Sequence, residues 1–277
     1  MALGREQTTS CSLSIVASPP ASGVRNNELF NSPDADIIVR SSDNVDFLLH
    51  KKQLEFATGA FPPAKFTSDT AELDILRVAE SASILEIIFQ FCYLRRFPSI
   101  SIQHLVFESL VLLVEAADKY EVFSLINSRQ LYICLRDCIP SHPRSVLQLA
   151  AKYRHLELIK DIAPSLVHLP LAELVDILPS PIFKYWSLYR EQWFSRLIDM
   201  LSGVPYYNHA CNTGPSRSFA HRTLLYQLKK GEQPASKMAN ALSTSACPNC
   251  HEIAEVWRAK VAEVEASMPP LDLPLDF

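Results

Sequence analysis

Glycine is scarce in this chain, 6 in 277 residues, while proline reaches 19. That scarcity excludes a glycine-rich phosphate cradle, which needs backbone amides to approach a ligand with no Cβ in the way. No Gly-x-Ser-x-Gly elbow occurs, and no two carboxylates have a sequence reason to face one another, so the common hydrolase signatures are missing. The chain also lacks an uninterrupted apolar run of about 18 residues, the length that crosses a bilayer as a helix. Its one apolar stretch near the start, Leu13 to Ala17, is too short for a secretory core. Excess positive charge is absent as well. A net charge of -4 leaves no broad surface that could gain affinity by releasing counterions from nucleic acid.

The 7 cysteines are scattered without a regular framework. An odd count in no pattern fits a reducing compartment better than a disulfide scaffold, so a cytoplasmic or nuclear protein is expected. Hydrophobic residues make up 48% of the chain, enough for a sizeable core, and the length allows two domains. Few glycines and many prolines favour helices punctuated by proline.

Residues 1–32, rich in Ser, Thr, Asn and Pro, have no period that would bury a face and are expected to form a disordered arm. Two apolar runs follow, 36–40 and 45–49, on either side of Ser41-Ser42-Asp43-Asn44. Turn residues between strands predict a hairpin, with Val45, Phe47 and Leu49 on one side of the second strand. His50-Lys51-Lys52 then opens a short helix. Residues 72–78 alternate apolar and charged side chains, which predicts a third strand. Three helical stripes come next: Ile84, Ile88, Phe91 and Cys92, capped by Ser81 or Ser83 and ended by Pro98; then Val106, Leu110, Leu113, Val114 and Ala117; then Val122, Leu125, Ile126 and Ile133. The fold class expected is α+β, a small three-stranded sheet packed with helices and followed by an all-helical domain.

The stretch with Asp36 opening an apolar strand, Phe47 in an aromatic strand, His50 and Lys51 at its end, and Leu54 and Phe61 downstream resembles the start of a BTB (POZ) domain. The resemblance covers about 33–138. It departs at Thr58-Gly59-Ala60, at the Pro62-Pro63 pair and at Tyr93-Leu94-Arg95-Arg96, where the family has Ser and a Tyr-Thr-Gly turn. It implies an interaction module that binds protein, as a homodimer or a heteromer, and acts as a scaffold or as an adaptor for a cullin-type ubiquitin ligase. Ligase adaptors carry an apolar-x-Glu motif where this chain has Phe66-Thr67-Ser68. By the same resemblance Asp36, His50 and Lys51 are candidate partner-interface residues. Their plainer reading is a turn-orienting carboxylate, a packed histidine and a solvated helix start.

From 139 the pattern is helix after helix. Ser141 caps the first, with Pro143 in its first turn and Val146, Leu149, Ala150 and Tyr153 as its stripe. Leu156, Ile159, Ala163, Leu166 and Val167 follow, with Pro164 ending or kinking that helix. Leu171, Leu174, Val175 and Leu178 make a short one, and Ile182, Trp186, Tyr189, Trp193, Leu197 and Met200 trace a long stripe. By position, residues 139–203 resemble the BACK-like segment that follows many BTB domains. Within the aromatic run from Phe183 to Phe194, the stripe residues Trp186, Tyr189 and Trp193 read as core, and Phe183, Tyr185 and Phe194 as surface.

A C-terminal extension, 204–266, holds a possible helix over 219–230, a basic group (Arg217, Arg222, Lys229, Lys230, Lys237) that reads as a solvated loop, and a helix over 252–266. It also holds the only constellation with ligand chemistry, Cys211, Cys247, Cys250 and His251, with His209 as an alternative ligand. A Cys-x-x-Cys turn lets two thiolates converge on a tetrahedral cation, so structural zinc is one reading; free cysteines in a turn and a packed helix are the other. Redox use of Cys247 and Cys250 would need a preceding strand, and none is predicted. Residues 267–277 read as a flexible acidic and apolar tail. The expectation is a non-enzymatic, partner-binding protein that needs no cofactor; a zinc-stabilised regulator of nucleic acid is the alternative. Neither a membrane nor bare nucleic acid is an expected partner.

Overall fold

The computed structural model describes residues 23–61, 74–93, 105–202 and 248–274. The chain divides into two compact units, Met1–Phe97 with Glu115–Val122, and Pro98–Val114 with Phe123–Phe277.

The first unit is α+β. Its sheet has four strands in the order β1-β3-β2-β4, formed by Arg25–Asn31 (β1), Ile37–Arg40 (β2), Val45–Leu49 (β3) and Asp74–Arg77 (β4). β2 and β3 make the expected antiparallel hairpin, with Val39 opposite Phe47. Its turn closes because the Ser41 hydroxyl accepts the Val45 N–H at 2.9 Å and Asn44 takes a left-handed φ of 59°, a conformation asparagine tolerates. β4 joins β2 in parallel. Alternation sorts the two faces: Ile37, Val39, Phe47, Leu49 and Leu76 are buried, while Ile38 and Leu48 are half-buried and Ile75 is 47% exposed.

The expected three-stranded sheet is therefore corrected to four strands, and the arm expected to be disordered through residue 32 contributes β1. β1 pairs in parallel with β3, with an irregular register between Asn26 and Asn31. Local propensity argues against it, since asparagine is depleted in strands. What holds it is tertiary. Phe30 packs its ring against Phe47 at 6.0 Å and Phe89 at 5.9 Å, and the buried Asn27 donates to Glu86 at 2.7 Å while accepting the Leu29 and Phe30 amides.

Two helices complete this core, Lys51–Ala57 (α1) and Ala82–Cys92 (α2), together with the last residues of Phe107–Lys119 (α3), a helix that the division between the units cuts at Glu115. α2 buries the expected Ile84, Ile88, Phe91 and Cys92, and Leu85 and Phe89 besides. Phe89 is the hub, with Phe47 at 5.2 Å and Phe61 at 6.1 Å. Burying one such ring fully stabilises the fold by about 1.5–3 kcal/mol. The expected serine cap is corrected: Ser81 occupies the N-cap position of α2 but its hydroxyl makes no cap hydrogen bond. α2 stops at Cys92, before Pro98 is reached.

The second unit is all-helical among the described residues: Phe123–Ile126 (α4), Arg129–Asp137 (α5), Pro143–Lys152 (α6), Leu156–Leu166 (α7), Leu171–Leu174 (α8), Ser180–Ser202 (α9) and Pro248–Ser267 (α10). α6 and α5 pack on α7, and α9 packs on α10. The stripe over Val122–Ile133 is broken into α4 and α5, because Ser128 accepts the Leu131 N–H at 3.1 Å and starts a new helix; Leu131, Cys134 and Leu135 face inward and Ile133 is 39% exposed. Pro143 opens α6 as expected, though its N-cap is His142 and not Ser141. Pro164 lies inside α7, which runs on to Leu166. The long aromatic stripe is core as expected, with Ile182, Trp186, Tyr189, Trp193 and Leu197 all buried. Of the tail expected to be flexible, 267–277, the described part up to residue 274 packs instead, Leu271 and Leu273 being 2% and 3% exposed.

Candidate functional site

The interface residues singled out in the sequence converge at the corner where β2 begins and β3 passes into α1. The Asp36 amide donates to the Leu49 carbonyl at 3.0 Å, and Asp36 Oδ1 accepts the Lys51 N–H at 2.6 Å. That amide is the first of α1 and has no partner within the helix. His50, at the N-cap position, supplies no side-chain cap, so Asp36 takes that role from 15 residues away. Asp36 thus meets Lys51 at the lysine's backbone amide.

His50 is held from both sides. Tyr93 Oη accepts the His50 backbone N–H at 2.9 Å and lies 3.2 Å from Nδ1, while Nε2 lies 3.4 Å from Asp34 Oδ2. A phenol that already accepts from the backbone can give its own proton to Nδ1, and in that tautomer the ring proton sits on Nε2, facing Asp34. Ser32 donates to Asp34 at 2.5 Å, and this bond, with the nearby His50, holds the Asp34 carboxyl below its usual range. Burial pushes the Tyr93 phenol up despite its bond from the His50 backbone. An Asp–His–Tyr row whose phenol is harder to ionise than usual holds no activated nucleophile, so its chemistry is positional. Gln53 adds a second tie, donating to the Cys92 carbonyl at 2.6 Å. Asp34, Gln53 and Tyr93 carried no signal in the sequence, since each meets its partner through the tertiary fold.

The corner fixes one side of α1 and leaves the other in solvent. Leu54 is the only buried residue of this helix, and Phe56 is 80% exposed, the largest exposure among the described bulky apolar side chains. On the outer sheet face Leu48, Ile38 and Ile75 stand opposite one another across three strands, and in a neighbouring row Arg40 grips Asp46 through two bonds of 2.6 and 2.8 Å.

Of the proposed zinc ligands, Cys250 and His251 are backbone positions in the first turn of α10, whereas His209, Cys211 and Cys247 lie outside the described residues, as do the helix over 219–230 and the basic group from Arg217 to Lys237. Among the described residues no group of His, Cys, Asp and Glu is placed to hold a metal. Burial pushes the thiols of Cys92 and Cys134 up to about 12 and raises that of Cys138, which keeps all three protonated at neutral pH. No described helix is long and apolar enough to cross a membrane. The helical unit carries an open depression of about 550 Å³ lined by Lys152, Arg154, Asp176 and Pro179 among others.

No protein-family model, curated protein or solved structure matches the chain.

Proposed function

We propose that this chain is a non-catalytic protein-interaction protein. Its BTB/POZ-like unit assembles with a second copy or another protein, and its helical unit acts as a scaffold. The order of elements from Ile37 onward supports the reading: a hairpin running directly into a helix, a strand returning parallel to β2, then helices. The observation that carries it is Phe56. An aromatic ring 80% exposed, on a helix pinned by Asp36 and Gln53, is a pre-ordered anchor, and aromatic anchors dominate interface energies. A stable complex would bury on the order of 1,600 Å². The scaffold role is preferred to that of ligase adaptor because Phe66-Thr67-Ser68 has no glutamate where adaptors carry one.

Sedimentation of the full chain over a hundredfold dilution, beside Phe56→Ser, tests this. Assembly above the 31.1 kDa monomer, weakened about thirtyfold in the variant, is expected if the ring contributes about 2 kcal/mol as an anchor. Monomer throughout, together with identical sets of co-purifying proteins for parent and variant, would remove the reading.

A further inference from the structure

In the helical unit one guanidinium has no counter-charge among the described residues. Arg190, on α9, donates from Nε to the Leu169 carbonyl at 2.9 Å and lays its plane against the Phe194 ring, Cζ standing 4.3 Å from the centroid. The Leu169 bond brings it beside His168, the preceding residue in the α7–α8 connection, whose side chain is among the few buried polar ones, 9% exposed. Among the described residues no ion pair reaches Arg190 and no carboxylate raises its pKa, which burial lowers. Burial and the nearby Arg190 charge both lower the His168 pKa, disfavouring its charged form.

The acids nearest in sequence are committed elsewhere or face elsewhere. Asp161 accepts from Tyr132 Oη at 2.6 Å, and Glu173 pairs with Arg144 at 2.9 Å. Glu191, next to Arg190 on the helix, is exposed, and adjacent helical residues do not share a face. A half-buried cation with one hydrogen bond and no acid partner is costly unless something else completes it. The bond to Leu169 uses Nε, and the edge of the fork that carries the two terminal nitrogens has no hydrogen bond among the described residues; its planar geometry matches a carboxylate.

We propose that Arg190 and His168 form a binding site for one carboxylate, gripped by the terminal nitrogens of the guanidinium and an imidazole nitrogen, with the Phe194 ring as its apolar wall. The charge count selects the ligand class. One cation and one neutral donor balance a single negative charge, whereas a phosphate near neutral pH carries more. The carboxylate belongs either to a small organic acid or to an Asp or Glu of a docked peptide. This site is in the helical unit and does not depend on the BTB-like reading.

The test is ¹H–¹⁵N NMR of the full chain, following the Arg190 Nε–H and His168 ring signals. Acetate, a blocked Leu-Asp dipeptide and inorganic phosphate are titrated at constant ionic strength against chloride. Saturable shifts at both residues are expected with acetate or the dipeptide, with phosphate weaker. The His168 titration midpoint should rise by about one unit, as an opposite charge at close range requires. Tighter binding of the dipeptide assigns the site to a peptide, and equal or tighter binding of acetate to a small acid. Arg190→Gln should abolish saturation. His168→Asn, which leaves the Arg190–Leu169 bond intact, should weaken it about tenfold, corresponding to one lost hydrogen bond. Shifts that stay linear in acetate, that chloride reproduces, or that survive unchanged in His168→Asn would overturn the proposal.

Discussion

Asp43 Oδ1 accepts the backbone N–H of Ala82 at 2.8 Å, joining the tip of the β2–β3 turn to the start of α2 across 39 residues of sequence. Asp36 makes the same kind of bond to the first amide of α1. α1 and α2 are thus both capped by carboxylates that border the hairpin, while the residues at their own N-cap positions, His50 and Ser81, contribute no side-chain bond. The hairpin sets where each helix begins.

Asp43→Ala should therefore destabilise the first unit by about 1 kcal/mol, the usual worth of an N-cap, and Ser81→Ala by much less. Urea denaturation of the two variants beside the parent makes the comparison. Equal losses would return the cap to Ser81.

Glu80 sets an acid limb of stability. Its carboxyl is half-buried, which pushes its pKa up, but hydrogen bonds from Lys119 and Tyr120 outweigh burial and hold it below the ordinary glutamate value. A depressed folded pKa gives stability that is fully present above the unfolded value and is lost as pH falls through the folded one. Denaturation midpoints of the parent should thus decline as pH drops below about 4.5, and Glu80→Gln should flatten part of that decline. An unchanged slope in the variant would show that Glu80 does not contribute to it.

Tyr93→Phe leaves the ring at 5.5 Å from Phe30 and removes only the hydroxyl. The His50 amide and Nδ1 then lose their shared partner, and the cost should be about 1–2 kcal/mol for an amide left without its acceptor. Alongside the urea midpoint, ring ¹⁵N shifts report the tautomer. The parent should hold its proton on Nε2, and the variant a mixture.

Leu271→Ala and Leu273→Ala should each destabilise the protein by about 2–5 kcal/mol, as for other leucines buried beyond nine-tenths. Phe56→Ala, at 80% exposure, should stay within about 0.5 kcal/mol of the parent when thermal melts of all three variants are compared. If Phe56→Ala proves as costly as the leucine changes, the ring supports the fold and is not a display residue.

Much of the architecture was legible in the sequence because it depends on short-range patterning. The hairpin, the short helix after His50, β4 and the long stripe from Ile182 to Leu197 all follow from alternation or helical spacing, which burial on one face enforces locally. Helix boundaries were less legible. Ser128 splits one apparent stripe into two helices, Pro164 is absorbed inside α7, and the cap of α2 comes from a distant turn.

At the candidate site the sequence marked Asp36, His50 and Lys51 but not what joins them. The sequence alone determined the α+β class of the first unit, the helical character of the second and the residues that alternate into each core, since those depend on neighbours within a few positions. Tertiary structure decided that a polar segment, Arg25–Asn31, becomes a strand, that Tyr93 and Asp34 hold His50, and that Leu271 and Leu273 pack. Each of these depends on an open strand edge, a hydroxyl or an apolar surface supplied by residues far along the chain, and a contact of that kind leaves no periodic trace in either of the segments it joins.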